Sequence, residues 1–322
     1  MHIPDGFING ATSAGAAVVA AGGVGAALKA GARSLAERQI PLAGLAAAFI
    51  FALQMLNFPV AAGTSGHLLG GALAAVLLGP AMGVTVLTVV VFVQALLFAD
   101  GGLSALGLNI INMGLITSLV GWLVFRALMA VFPKHRGGAT LAAMIAAWAS
   151  VVVSSIGFVI QYSLGGQGGV DSATVFAAMT GVHALIGIGE GLITGTVVAA
   201  VLAVRPDLVF GTARYDITRG NGLGRKATAG FIAAGLLGAI SLVVFVAPLA
   251  SSAPDGLERV AEDSGLVAGD SGFGALFSDY QVGSVEPEWL GTVVSGVVGL
   301  IVTFAVGVIL VTLGRRRLAR RA

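Results

Sequence analysis

Cysteine is absent from all 322 residues, and charged side chains make up 10% of the chain where about 25% is usual. The first absence removes disulfide scaffolds, thiolate zinc sites, iron–sulfur clusters and cysteine nucleophiles together. Any metal is left to nitrogen or oxygen donors, with methionine thioether as the one remaining sulfur. The second absence removes the solvated surface that a soluble domain of this length needs. An excess of one charge is also lacking: 17 Lys and Arg against 15 Asp and Glu give a net +2, which excludes nucleic acid as a principal partner. No Gly-x-x-x-x-Gly-Lys-Ser/Thr segment is present to cradle ATP phosphates, and no His-Glu-x-x-His segment marks a metallohydrolase. What abounds is apolar. Hydrophobic residues are 57% of the chain, the mean hydropathy is +0.99, and 49 glycines occur without a G-X-Y period. Small residues at that density suit helices packed closely in lipid, so the fold class implied is an all-α, polytopic integral membrane protein.

Runs that could enter a hydrocarbon core of ~30 Å fall at 9–28, 41–60, 67–80, 83–99, 105–131, 139–163, 176–204, 228–250 and 290–313. The third, from His67 to Pro80, is too short to cross comfortably and is expected to be tilted, half-buried or partly re-entrant. If the amino terminus faces outward, every Lys and Arg except Arg259 lies on the cytoplasmic side. Asp5, Asp100, Asp171 and the acids from Asp255 to Glu288 then lie outside. The opening MHIPDGFING has no basic residue, and Lys29 is the first, which argues against a cleavable signal and for a retained first helix. The expected location is the cell membrane, multi-pass, with the amino terminus outside and the carboxyl terminus in the cytoplasm. Residues 205–227, basic and bearing Gly211, Gly220, Gly222 and Gly224, read as a cytoplasmic linker between a seven-helix body (1–204) and a two-helix appendage (228–322). The appendage carries an acidic external loop, 251–289, whose Pro254, Gly256, Gly265, Gly269, Gly272 and Gly274 predict little regular structure. Its acids either raise the local cation concentration or simply keep the loop in water.

A free chain with histidine second offers three nitrogens in order: the terminal amine, the peptide nitrogen of His2 and its imidazole. Five- and six-membered chelate rings keep them near one plane, where a metal able to displace the amide proton, Cu(II) or Ni(II) most readily, is held squarely. One more nitrogen completes such a site. Of the other histidines, His135 lies in a cytoplasmic basic turn and His183 inside the seventh segment. His67, in Gly63-Thr64-Ser65-Gly66-His67, shares the depth of the amino terminus. The candidate metal ligands are therefore Met1, His2 and His67. The competing reading makes Met1-His2 an accident of initiation and His67 a polar helix start capped by Ser65 or Thr64. A planar nitrogen set favours Ni(II) over Co(II) and disfavours Mg(II), Ca(II) and tetrahedral Zn(II). Polar residues near external helix ends, Asn57, Gln94, Asp100, Asn109 and Asn112, with Thr64 and Ser65 beside His67, either orient ligands or only hold helices together. His183 and Glu190, seven residues apart and so on roughly one face, stay open between an ion pair, a proton partnership and a role in translocation.

The opening MHIPDGFI, NFPVAAGTSGHLLGG (57–71), VQALLFADGGLSALGLNIINMG (93–114) and HALIGIGEGLIT (183–194) together resemble the substrate-binding membrane component of cobalt/nickel energy-coupling-factor transporters, which are of ABC type. APDGLERVAED (253–263) is similar to the small accessory membrane subunit of the same transporters, here in one chain. The resemblance implies high-affinity uptake of nickel or cobalt, with the ion as cargo, no cofactor and no enzymatic activity. The family's ligands fall on Met1, His2 and His67. Its partners are an energy-coupling transmembrane subunit and two ATPase subunits. Readings from other classes are a passive cation channel, a scaffold subunit without a site and, more remotely, an intramembrane metalloenzyme. An extension ahead of Met1 separates the first reading from a channel or scaffold.

Overall fold

The computed structural model describes residues 1–34, 40–60, 63–215, 217, 225–263, 274–283 and 285–319. Long helices dominate because runs of Ala, Leu, Val and Gly with almost no charge must satisfy their backbone N–H and C=O groups internally in lipid. In chain order these are α1 (Gly10–Ser34), α2 (Ile40–Gln54), a ribbon of β1 (Phe58–Pro59) and β2 (Ser65–Gly66), α3 (Gly71–Leu78), α4 (Pro80–Phe98), α5 (Leu106–Asn109), α6 (Thr117–Val131), α7 (Arg136–Gly165), α8 (Ser172–Val204), α9 (Arg225–Ser241), α10 (Gly256–Asp263) and α11 (Glu288–Ala319). A π-helical stretch, Ile110–Ile116, joins α5 and α6 into one span. Among the described residues seven helical spans are long and apolar enough to cross a membrane: Gly10–Gly31, Pro80–Phe98, Leu106–Val131, Arg136–Gly165, Ser172–Val204, Lys226–Leu249 and Glu288–Arg317.

Two expectations are corrected and one is made specific. The segment 67–80, expected to be too short to cross comfortably, does not cross: α3 has eight residues, about 12 Å of helix, between Gly70 (φ 82°) and Gly79 (φ 89°). Residues 71–76 are buried against protein, so this short helix needs no lipid-crossing length. A Cβ at Gly71 would collide with the Thr117 side chain, so glycine is what lets α3 lie against α6. The segment 41–60 is helical only to Gln54; beyond it the chain turns into the antiparallel ribbon, pairing Phe58 with Gly66 and Pro59 with Ser65. His67 therefore follows a strand and does not begin a helix. Third, the loop 251–289 contains α10. Asp255 accepts the Leu257 and Glu258 N–H groups at 2.7 and 2.9 Å, and Glu258 accepts the Asp255 N–H at 2.8 Å, a reciprocal cap that starts the helix. Leu257 and Val260 pack inward, while Arg259 pairs outward with Asp263 at 3.1 Å. Residues 264–273 and 284 of that loop, with Gly265, Gly269, Gly272 and Asp270, and residues 216 and 218–224 of the linker, with Gly220, Gly222 and Gly224, lie outside the described residues.

Two features position the site. The first nine residues are pinned as part of the core: Met1, Ile3, Phe7 and Ile8 are buried with Leu108, Met113, Phe158 and Leu257. Their backbone is held by Gly102 N–H to Ile3 O (2.9 Å) and Asn9 N–H to Gly165 O (2.7 Å). The Asp5 carboxylate accepts from the Ser104 N–H (2.7 Å) and hydroxyl (2.5 Å). The second feature is α11, whose Ser295, Gly299, Thr303 and Gly307 recur every fourth residue. At Gly299 a Cβ would strike the rings of Phe51 on α2 and Phe98 on α4, and at Gly307 it would touch Gly44 of α2. Small residues thus let α11 lie close along α2.

Candidate metal centre

The bundle opens at one end into a cavity of about 840 Å³. At its base the terminal nitrogen of Met1 lies 2.7 Å from His67 Nε2 and 2.7 Å from Asp255 Oδ2, all buried. Hydrophobic burial of Ile3 and Phe7 is what draws the amine in, and a buried ammonium demands a counter-charge. Asp255 supplies it from the loop after α9. His67 Nδ1 lies 3.0 Å from Leu68 O, a contact that assigns the N–H to Nδ1 and leaves Nε2 as the lone-pair donor toward Met1. The His2 and His67 rings stack with centroids 5.0 Å apart and planes at 21°. His2 Nδ1 lies 2.9 Å from Asp100 Oδ1, and its Nε2 lies 3.3 Å from Gln94 Oε1. Burial first, and then the neighbouring ammonium, lowers the pKa of His67. For Asp255 burial works upward, but the ammonium and His67 outweigh it and hold the carboxyl well below the usual range. Asp100 is held below that range as well, because His2 and the Tyr280 hydroxyl outweigh the upward push of burial.

Met1, His2, His67, Gln94 and Asp100 therefore converge. Asn109 holds the strap just behind them, accepting the Ile3 N–H at 2.8 Å and donating to Ile3 O at 3.1 Å. Other residues singled out in the sequence act one step away. Ser65 donates its hydroxyl to Ala253 O (2.7 Å) and its N–H to Pro254 O (2.8 Å), tying the ribbon to the Asp255 loop. The carbonyls of Asn57 and Thr64 accept the N–H groups of Ser251 and Val60. Asn112 pairs amide to amide with Gln161 at 2.8 and 3.0 Å. His183 and Glu190 bond to different groups. His183 Nδ1 meets Met179 O at 2.8 Å, while Glu190 accepts the Leu69 and Gly70 N–H groups at 2.5 and 2.8 Å. Glu190 thus fastens the segment that carries His67 onto α8.

Asp255 and Tyr280 were not singled out as site residues. The spacing Asp255-x-x-Glu258 carries a helix-cap signal that could have placed Asp255 at a structured point, but nothing local marks Tyr280. Among the described residues no three His, Asp or Glu side chains gather into a metal cage. A buried amine beside two imidazoles can nonetheless serve as a nitrogen donor set for a borderline divalent cation.

Fold and site define a polytopic helical membrane protein with a nitrogen-rich pocket built on its own first residues. Residues 2–208 match the cobalt uptake substrate-specific transmembrane region, and residues 229–316 match the PDGLE domain. The chain belongs to that cobalt uptake family, with a PDGLE domain fused behind it, and is a transporter component and not an enzyme. The fused nickel transport protein of Archaeoglobus fulgidus is 33% identical over 312 residues, 95% of this chain and 97% of that one. A metal transport protein of Haloquadratum walsbyi is 42% identical over 214 residues, covering 65% of this chain and 94% of its own length. The crystal structure of a transition metal transporter superposes with a TM-score of 0.59 at 28% identity, covering 68% of this chain and all of that one.

Proposed function

We propose that this chain takes up Ni(II) or Co(II) with high affinity, as the substrate-binding component of an energy-coupling-factor ABC transporter. The observation that carries the reading is the 2.7 Å approach of the Met1 amine to His67 Nε2 in a buried pocket, with His2 stacked against His67. The cargo ion is held by the Met1 amine, the His2 main-chain nitrogen, the His2 imidazole and His67. Cobalt in the family's description and nickel in the Archaeoglobus relative support this choice of ion. To enter, the ion replaces the ammonium proton and the amide proton of His2. Two positive charges leave and two arrive, so Asp255 faces the same local charge before and after. The His2 imidazole trades its Asp100 contact for the ion at Nδ1, and the Nδ1 proton passes to Nε2, which faces Gln94 Oε1, so the count of two protons lost is unchanged. A coupling transmembrane subunit and ATPase subunits provide the energy, since this chain has no P-loop. Residues 1–204 form the metal-binding domain, 205–227 the cytoplasmic linker and 228–322 the accessory module, with the amino terminus outside the cell and the carboxyl terminus in the cytoplasm.

Titration of Ni(II) into detergent-purified protein by calorimetry tests the ligand set. His2→Ala and His67→Ala should each abolish high-affinity binding while the helical circular dichroism spectrum is retained. Wild-type affinity in either variant would remove that residue from the site.

A further inference from the structure

Four side chains close a ring of hydrogen bonds around the second residue. His2 Nδ1 faces Asp100 Oδ1 at 2.9 Å, and Asp100 Oδ2 accepts the Tyr280 hydroxyl at 2.5 Å. Tyr280 in turn accepts from Gln94 Nε2 at 3.1 Å, and Gln94 Oε1 returns to His2 Nε2 at 3.3 Å. Three of the four members belong to the region matching the cobalt uptake family. The fourth, Tyr280, comes from between α10 and α11. We propose that Tyr280 is a positioning residue for the His2 imidazole, supplied by the PDGLE portion of the chain; the inference rests on the metal-site reading above.

Three observations carry it. First, the Tyr280 ring is clamped: it stacks on Phe98 with centroids 4.6 Å apart, its carbonyl accepts the Ser295 hydroxyl at 2.6 Å, and Phe277 N–H is bonded to Leu97 O at 2.8 Å just upstream. The hydroxyl is therefore delivered from rigid elements on both sides. Second, among the described residues the non-glycine positions with positive φ are Ala99 (55°), Asp279 (53°) and Tyr280 (59°). Each costs conformational energy, and all three fall within the ring or next to it, so the strain is concentrated where Asp100 and Tyr280 are aimed at each other. Third, the chemistry is directional. Burial and the adjacent Asp100 keep the phenol protonated, so it can only donate to that carboxylate. Each Asp100 oxygen then has one assignment, to Tyr280 or to His2. When Nδ1 turns to the ion, the other nitrogen of the imidazole, Nε2, faces Gln94 Oε1, and Tyr280, itself aimed by Asp100, fixes that amide by accepting from Gln94 Nε2; losing such a partner typically weakens metal binding 10–100-fold.

Tyr280→Phe keeps the ring against Phe98 and deletes only the hydroxyl. With Ni(II) as probe on the full chain, dissociation should quicken and affinity should fall at least tenfold, with a changed d–d absorption of the bound nickel and an unfolding midpoint near that of the parent. A variant with parental affinity and spectrum overturns the proposal, as does one that loses thermal stability alone. If both stability and affinity fall, a cycle with Asp100→Asn decides: a double variant no weaker in binding than the worse single supports the ring, and additive losses overturn it. His2→Ala separates the two levels. If it abolishes nickel binding while Tyr280→Phe does not weaken it, only the role of Tyr280 fails; if it leaves binding intact, the site reading itself fails.

Discussion

The ammonium of Met1 and the carboxylate of Asp255 are the two charges most deeply enclosed at the site, and each justifies the other's burial. Asp255→Asn would leave the ammonium with a neutral amide, and removing one partner of a buried pair costs about 3–5 kcal/mol. The metal-free protein should show most of that loss in its unfolding midpoint at neutral pH, whereas an unchanged midpoint would mean that the pair does not form. His67 adds a dependence on pH. Its folded pKa is lowered from 6.5, so on acidification the unfolded chain takes a proton that the folded site refuses. Stability of the metal-free protein should therefore fall as pH drops below ~6.5, and less steeply in His67→Gln; parallel profiles would contradict this. That Met1, His2 and His67 come together was readable in the sequence, because the proposed chelate at Met1-His2 follows from covalent order and His67 was the one remaining histidine expected at its depth. Asp255 and Tyr280 were not. They lie 254 and 180 positions from Met1 and Asp100, and no local period encodes such a meeting.

At the scale of elements, hydropathy located the long spans and marked 67–80 as too short to cross, without giving the bounds of α3. A helix enclosed by protein on every side has no polar face to give a period, and only Gly70, Gly79 and Pro80 mark its ends. What holds α3 and the His67 segment is Glu190, reaching from α8 to two main-chain N–H groups. Glu190→Gln turns one acceptor into a donor facing those groups. It should lower stability by about 1.5–3 kcal/mol and weaken nickel binding together, measured by thermal unfolding and titration on one preparation. Loss of stability with full affinity would show that Glu190 does not position His67. The seam between α11 and α2 makes a second prediction. Gly299→Val would force a branched side chain into the rings of Phe51 and Phe98, and overpacking of that kind costs about 1–3 kcal/mol. The helical reading of α11 came from sequence, but its partner did not, since a stripe of small residues says that something approaches and not what.

On the scale of the whole molecule, fusion places the counter-ion Asp255 and the hydroxyl of Tyr280 beside nitrogens that the first two hundred residues bring together. The proposed membrane sidedness rests on the distribution of basic residues, and a chain without cysteine makes it simple to check. Gln167→Cys, in the connection between α7 and α8, should react with an impermeant thiol reagent on intact cells. Ala213→Cys should react only after permeabilisation; the reverse pattern would invert the topology. All of this converges on the terminal nitrogen. The most direct measurement compares nickel bound by protein whose first residue is Met1, verified by intact mass, with nickel bound by the same chain carrying one added residue ahead of it. An extended chain that folds but stays empty while the unextended one fills is the predicted result. Equal loading of the two would contradict ligation by the amine of Met1.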